Sequence, residues 1–149
     1  MAKRILVPLD RSRTAESVLP FVIDIARGTG AAMHLLMVET PPDTRVGTDG
    51  RVVAYADQEQ ARLEAEGLDY LRALTRQCGG VSDVECVVRF GDPVDEILRE
   101  AEVFDADLIA VTTEGRSAVG RTVLGSVAEQ IVKKADAPVM LMRPGRHRS

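Results

Sequence analysis

Tryptophan is absent from this chain of 149 residues, and all aromatics together make up only 3% of it. The interior must therefore be aliphatic, and too few rings are present for bases to be bound by stacking. Cysteine is equally scarce. Cys78 and Cys86 are too few for a disulfide framework, lack a C-x-x-C spacing and have no histidine cluster to complete a set of metal ligands. Both read as free thiols, and no metal site is expected in the protein itself. A basic footprint is missing too: the formal net charge is −4 and the pI about 5.2, which speaks against a nucleic-acid partner. Long apolar runs are missing as well. Nothing approaches the roughly 20 apolar residues of a membrane span, so no membrane partner is expected. The first apolar run, Ile5 to Val7, ends at Pro8 and Asp10, too short for a signal peptide. The expected compartment is the cytoplasm.

What is present is an ordinary globular balance, 45% hydrophobic and 28% charged, at a length that suits one domain. One domain over residues 1–145 is expected, followed by a solvated basic tail, 146–149; Arg143, Arg146, His147 and Arg148 make the only basic cluster. Residues 3–9 read as a buried strand. A turn at Asp10 to Arg13 follows, then a helix from about Thr14 with Ala15, Val18, Val22 and Ile25 at helical spacing, stopped by Gly28 and Gly30. Residues 32–38 are a second strand, and residues 39–56, rich in Pro, Gly, Asp and Thr, read as a long loop. A polar helix is expected from about Asp57 to Gln77, with Ala61, Ala65, Leu68 and Leu71 on one face and Gly79-Gly80 at its end. A third strand spans 84–89. In the next turn Asp92 suits an N-cap and Pro93 the first helical position, while Asp95 and Glu96 suit the positive helix end. A fourth strand at 107–112, a helix from Ser126 to Ala135 with Val127, Ile131 and Ala135 inward, and a fifth strand from Val139 to Met142 complete the chain. Continuous apolar strands alternating with helices predict an α/β fold, a three-layer doubly wound five-stranded parallel sheet.

In such sheets ligands bind beyond the C-terminal strand ends, where strand order reverses. Asp10, the segment Val38 to Thr40 and the loop Thr113 to Leu124 should gather there. Gly115 in that loop and Gly125 just after it allow close backbone approach to a ligand, and glycine also reaches positive φ. Gly125-Ser126 opens a helix whose free N–H groups and dipole favour an anion, and the Ser126 hydroxyl adds a donor. Arg116 and Arg121 are placed to offset phosphate charge. Simpler readings stand beside these. Ser126-x-x-Glu129 is also a capping box that needs no ligand. Gly115 and Gly120 also suit plain turns, Asp10 a helix cap, and Arg116 and Arg121 solvent. His34 reads as a core or sheet residue, and Glu129 with Lys133 as a helix-face ion pair.

Ile5-Leu-Val-Pro-Leu-Asp10-x-Ser12, Gly91-Asp-Pro93 with Ile97-Leu98, Gly115-x9-Gly125-Ser126-Val127 and Ala135-x-Ala-Pro138-Val139 together resemble the universal stress protein family over nearly the whole chain. The resemblance implies the adenine nucleotide alpha hydrolase-like fold with strand order 3-2-1-4-5. It also implies a site for ATP, with or without Mg2+, of the motif Gly-x2-Gly-x9-Gly-Ser/Thr. On this chain the second glycine of that motif is Gly115, the third is Gly125 and the hydroxyl residue is Ser126; Thr112 stands where the first glycine belongs. Asp10 would face the adenine or ribose, and Val38 and Val111 would line the adenine pocket. Two departures weaken the motif. Thr112 is β-branched, which restricts close approach while leaving its backbone atoms usable. Glu114 lies where relatives often carry a basic residue, and a carboxylate about 4 Å from phosphate repels it by roughly 1–4 kcal/mol in wet surroundings, unless Arg116 cancels it or it turns away or holds a metal ion.

Three functions follow. The first is a regulatory adenine-nucleotide binder in the stress response. The second is an interaction module of the same family that binds no nucleotide, the reading that Thr112 and Glu114 favour. The third is a slow ATPase. Other enzyme classes have no motif here: Gly-x4-Gly-Lys-Ser/Thr and Gly-x-Ser-x-Gly are absent, and the turn after the first strand is Asp10-Arg-Ser-Arg rather than a glycine-rich dinucleotide loop. A homodimer is expected through the apolar strand Val139 to Met142, which the resemblance puts at a sheet edge.

Overall fold

A computed structural model of the chain describes residues 3–42, 50–113 and 125–143, with residues 50–55 described by backbone alone. Five strands, β1 (Arg4–Leu9), β2 (Ala32–Glu39), β3 (Val84–Phe90), β4 (Leu108–Thr112) and β5 (Val139–Met142), form one parallel sheet in the order β3-β2-β1-β4-β5. Strand alternation sends Ile5, Val7 and Leu9 of β1 and Met33, Leu35 and Met37 of β2 to one face. There they meet helices α1 (Arg13–Ser17), α2 (Leu19–Thr29) and α3 (Gly50–Leu74), through Leu19, Val22, Ile23 and Leu71 among others. Leu6, Leu36, Ile109 and Val111 point the other way, against Val94, Ile97 and Ala101 of α4 (Pro93–Phe104) and Ala128 and Ile131 of α5 (Ser126–Lys134). The expected three layers and strand order are present. Among the described residues every fully buried large side chain is aliphatic or methionine, as the shortage of aromatics required.

Several local expectations need correction. The first helix is two helices, because Pro20 has no N–H to continue the ladder and its ring crowds the preceding turn. Gly28 stays inside α2; the cap is Gly30, at φ 71. α3 begins at Gly50 rather than near Asp57, since residues 51–56 contain no proline or glycine to break it; residues 43–49 of the expected loop lie outside the described residues. Ala61 and Ala65 are exposed. Leu71 is buried as expected and Leu68 half-buried, and the rest of the packed face of α3 is Ala56, Gly67 and Leu74. At Gly67 a Cβ would lie 2.9 Å from Val88 Cγ2 on β3, so glycine lets the helix settle onto the sheet. The inward residues of α5 are Ala128 and Ile131, with Val127 and Ala135 half-buried beside them.

Other expectations match the structure. Asp92 caps α4, accepting from Asp95 N–H at 3.0 Å, with Pro93 in the first turn. Glu129 pairs with Lys133 at 2.9 Å, and both cysteines are free. His34 is a sheet residue, stacked on Phe104 with centroids 3.5 Å apart. The basic tail beyond Arg143 lies outside the described residues.

Candidate functional site

The sheet opens where its order reverses. β1 pairs with β2 over six positions, Arg4↔Ala32 to Leu9↔Met37. On its other side it pairs with β4 only at Ile5↔Leu108 and Leu6↔Ile109. Beyond that the strands part, and Pro8 brings no N–H to either ladder. The crevice holds a pocket of about 510 Å³, within the size range of small-molecule sites.

Seven of the nine site residues expected from sequence line this pocket: Asp10, Val38, Val111, Thr112, Gly125, Ser126 and Val127. The other two, Gly115 and Arg116, lie outside the described residues, as do Glu114, Gly120 and Arg121. Sequence reading missed the rest of the apolar wall. Leu9 and Leu36 come from β1 and β2, and Pro93 and Ile97 from the first turns of α4. Period-two alternation was a usable signal for Leu36, which shares a strand face with Val38. No local signal brings Pro93 and Ile97 across from α4.

Each polar group has a structural reason for its position. Asp10 follows β1 directly and its Oδ1 accepts from Ser12 N–H at 3.0 Å, a local Asx turn. Ser12 then caps α1, its Oγ accepting from Ala15 N–H at 3.0 Å. Asp10 is therefore the turn residue and not the helix cap. At the opposite wall the N-cap of α5 is Gly125, not Ser126. Gly125 donates to Thr113 O at 2.7 Å, and its own carbonyl accepts from Glu129 N–H at 2.9 Å. The capping box of Ser126 and Glu129 does not form, and among the described residues no side chain caps α5. Gly125 also has φ −61 and ψ 149, a conformation open to any residue. The position does not call for a positive φ.

The pocket thus joins two chemistries. Its walls are mostly aliphatic and suit the flat face of a ring. Asp10 offers a carboxylate to donors at one end. At the other, the start of α5 presents N–H groups without an intrahelical partner and the positive end of its dipole, which favour an anion. Among the described residues no His, Lys or Cys lines the pocket. No group of three His, Cys, Asp or Glu among them is placed to hold a metal ion, and no described helix is long and apolar enough to cross a membrane.

Comparison with known proteins accords with this architecture. The profile of the universal stress protein family matches residues 1–143. A Staphylococcus haemolyticus protein named for that family is 32% identical over 144 residues, 95% of this chain and 84% of its own length. A universal stress protein of Methanocaldococcus jannaschii is 28% identical over 95% of this chain and 82% of its own. Among solved structures, the hypothetical protein MJ0577 superimposes with a TM-score of 0.83 at 27% identity, over 100% of this chain and 99% of that one. The universal stress protein of Archaeoglobus fulgidus in complex with dAMP shares the fold at a TM-score of 0.59 and 23% identity, covering 95% and 97% of the two chains. So does an Arabidopsis thaliana family protein with AMP bound, at 0.64 and 18%, covering 96% and 92%.

Proposed function

Because the chain belongs to the universal stress protein family, we propose that it binds an adenine nucleotide, ATP or a shorter relative, in the crevice between β1 and β4. The observation that carries this reading is one pocket with aliphatic walls, Asp10 at one end and the N-terminal start of α5 at the other. The base lies between Val38 and Val111, and the phosphates meet Gly125, Ser126 and Val127. Gly115 and Arg116, which follow Thr113 in the chain, complete the phosphate contacts. Mg2+ enters with ATP as its counter-ion. The AMP and dAMP held by fold neighbours support an adenine ligand. The protein then acts as a cytoplasmic stress-response regulator whose surface depends on nucleotide occupancy.

Gly125→Asp tests this reading. Its backbone conformation tolerates any residue, and aspartate is a good N-cap, so α5 should hold or gain a few tenths of a kcal/mol. The new carboxylate occupies the place of the phosphate. Titration calorimetry with AMP, and with ATP and Mg2+, should show at least about a tenfold loss of affinity, or about 1.4 kcal/mol. Absence of wild-type binding at millimolar nucleotide would overturn the proposal. It would favour an interaction module without nucleotide, the reading that Thr112 supports by standing in the pocket where the motif has glycine. Release of phosphate that scales with protein and disappears in Gly125→Asp would establish slow ATP hydrolysis instead of simple binding.

A homodimer through Val139–Met142 belongs to the same proposal. β5 is a sheet edge, and its Leu141 is 41% exposed. Pairing with a second copy covers that edge. Sedimentation at micromolar concentration should give a dimer for the wild type and a monomer for Leu141→Lys.

A further inference from the structure

Arg11 follows the pocket residue Asp10 and has φ 65. A non-glycine residue remains in that left-handed region only where its surroundings hold it. Three elements do so. Arg11 Nη1 lies 2.8 Å from Glu39 Oε1, at the end of β2. This is a charge contact and not an aligned hydrogen bond, since that oxygen has no donor in line. The guanidinium also lies over the ring of Tyr70 on α3, 5.9 Å from its centroid. The Tyr70 hydroxyl in turn donates to Glu16 on α1. Glu39 immediately precedes Thr40, which lines the pocket with Asp10. One side chain outside the pocket thus joins two segments of its rim, and braces them against a third element.

We infer that Arg11 is a positioning residue for the pocket: its guanidinium, clamped between Glu39 and Tyr70, sets the Asp10 turn and the Thr40 segment at the separation a ligand requires. The inference rests on the nucleotide reading for its ligand, but the clamp has a signature that needs none. The Ser12 amide donates to Asp10 Oδ1, so its hydrogen exchange reports how firmly the turn is held.

The experiment compares the full-length wild type with Arg11→Asn, Arg11→Lys, Glu39→Gln and the double variant Arg11→Asn/Glu39→Gln. Asparagine tolerates the left-handed region, so Arg11→Asn removes the guanidinium without new backbone strain, and the variant should fold with its melting temperature lowered by only a few degrees. AMP affinity, measured by calorimetry, should fall about tenfold in Arg11→Asn, the combined size of a partly exposed ion pair and a cation–π contact. Glu39→Gln should fall by less, the double variant no further than Arg11→Asn, and Arg11→Lys should recover part of the loss. Ser12 exchange without nucleotide should quicken in Arg11→Asn and Glu39→Gln. If the wild type binds AMP and Arg11→Asn changes neither affinity nor exchange, the clamp is overturned and the nucleotide reading stands. If the wild type binds neither AMP nor ATP with Mg2+ yet Ser12 exchange quickens, the nucleotide reading fails and the clamp stands. Losses that add in the double variant also overturn it, because they would mean that Arg11 and Glu39 act separately.

Discussion

Replacing Glu100 by alanine removes a carboxylate whose side chain is 3% exposed and which joins three parts of the fold. Oε1 accepts from Arg89 Nε at 3.0 Å and Nη2 at 2.7 Å, and Oε2 lies 2.9 Å from His34 Nδ1. Arg89 is on β3, His34 on β2 and Glu100 on α4. Breaking a buried charged pair costs about 3–5 kcal/mol, because the remaining partner keeps its desolvation without its counter-charge. The Arg89 side chain is 26% exposed and can regain part of its hydration, which moves the expectation toward the lower end, about 3 kcal/mol. Loss of the buried Cγ methylene adds about 0.8 kcal/mol. Domains carry about 5–15 kcal/mol in all, so the variant should fold but be much weakened. At about 2–4 °C per kcal/mol for a chain of this size, its melting point should drop by about 8–15 °C. With no tryptophan in the chain, urea unfolding is best followed by far-ultraviolet circular dichroism, and the denaturant slope should stay constant. Arg89→Met alone should also be severe, since it leaves the buried Glu100 carboxylate without its cation. Arg89→Met with Glu100→Leu should recover most of the loss, because an apolar pair of similar volume has no charge to desolvate. A Glu100→Ala loss below about 1 kcal/mol, the scale of surface ion pairs, would refute the reasoning, as would a double variant as weak as the sum of the singles.

Two further outcomes follow from named contacts. Gly67→Ala gains about 1 kcal/mol of helix propensity but places a Cβ 2.9 Å from the stiff Val88 side chain. Overpacking of this kind costs about 1–3 kcal/mol, so urea melts should show a net loss, relieved when Val88→Ala is added. A net gain would mean that α3 is free to lift from the sheet. For Tyr70, burial first and the hydrogen bond to Glu16 second push the phenol above the ordinary tyrosine range. As pH rises through about 10, the unfolded chain releases a proton that the folded chain keeps, so this contribution to stability is complete below that range and lost above it. The stability difference between wild type and Tyr70→Phe should therefore be constant from neutral pH to about 10 and shrink at higher pH; a constant difference throughout would contradict the assigned environment.

Neighbours along the chain settle some features, and these were legible from residue order alone. Asp92 and Pro93 mark the start of α4 because capping involves only the next few amides. The strands stand out because burial on both faces leaves them continuously apolar. The parallel three-layer class follows from their alternation with helices, and the reversal of strand order then placed a pocket near Asp10 and the start of α5. Residue order also carried the family resemblance, and with it the strand order. Other features needed the folded molecule. Ser126-x-x-Glu129 has the pattern of a capping box, yet the chain enters α5 one residue earlier and uses Gly125. Ala61 and Ala65 have the spacing of a buried stripe, yet the packed face of α3 is decided by how closely Gly67 approaches Val88. Ile97 reaches the pocket, and His34 meets a carboxylate 66 positions away, only because α4 crosses the face of β2. Contacts of that range depend on which strands become neighbours, and no local pattern of residue types encodes the distance between two surfaces that have yet to meet.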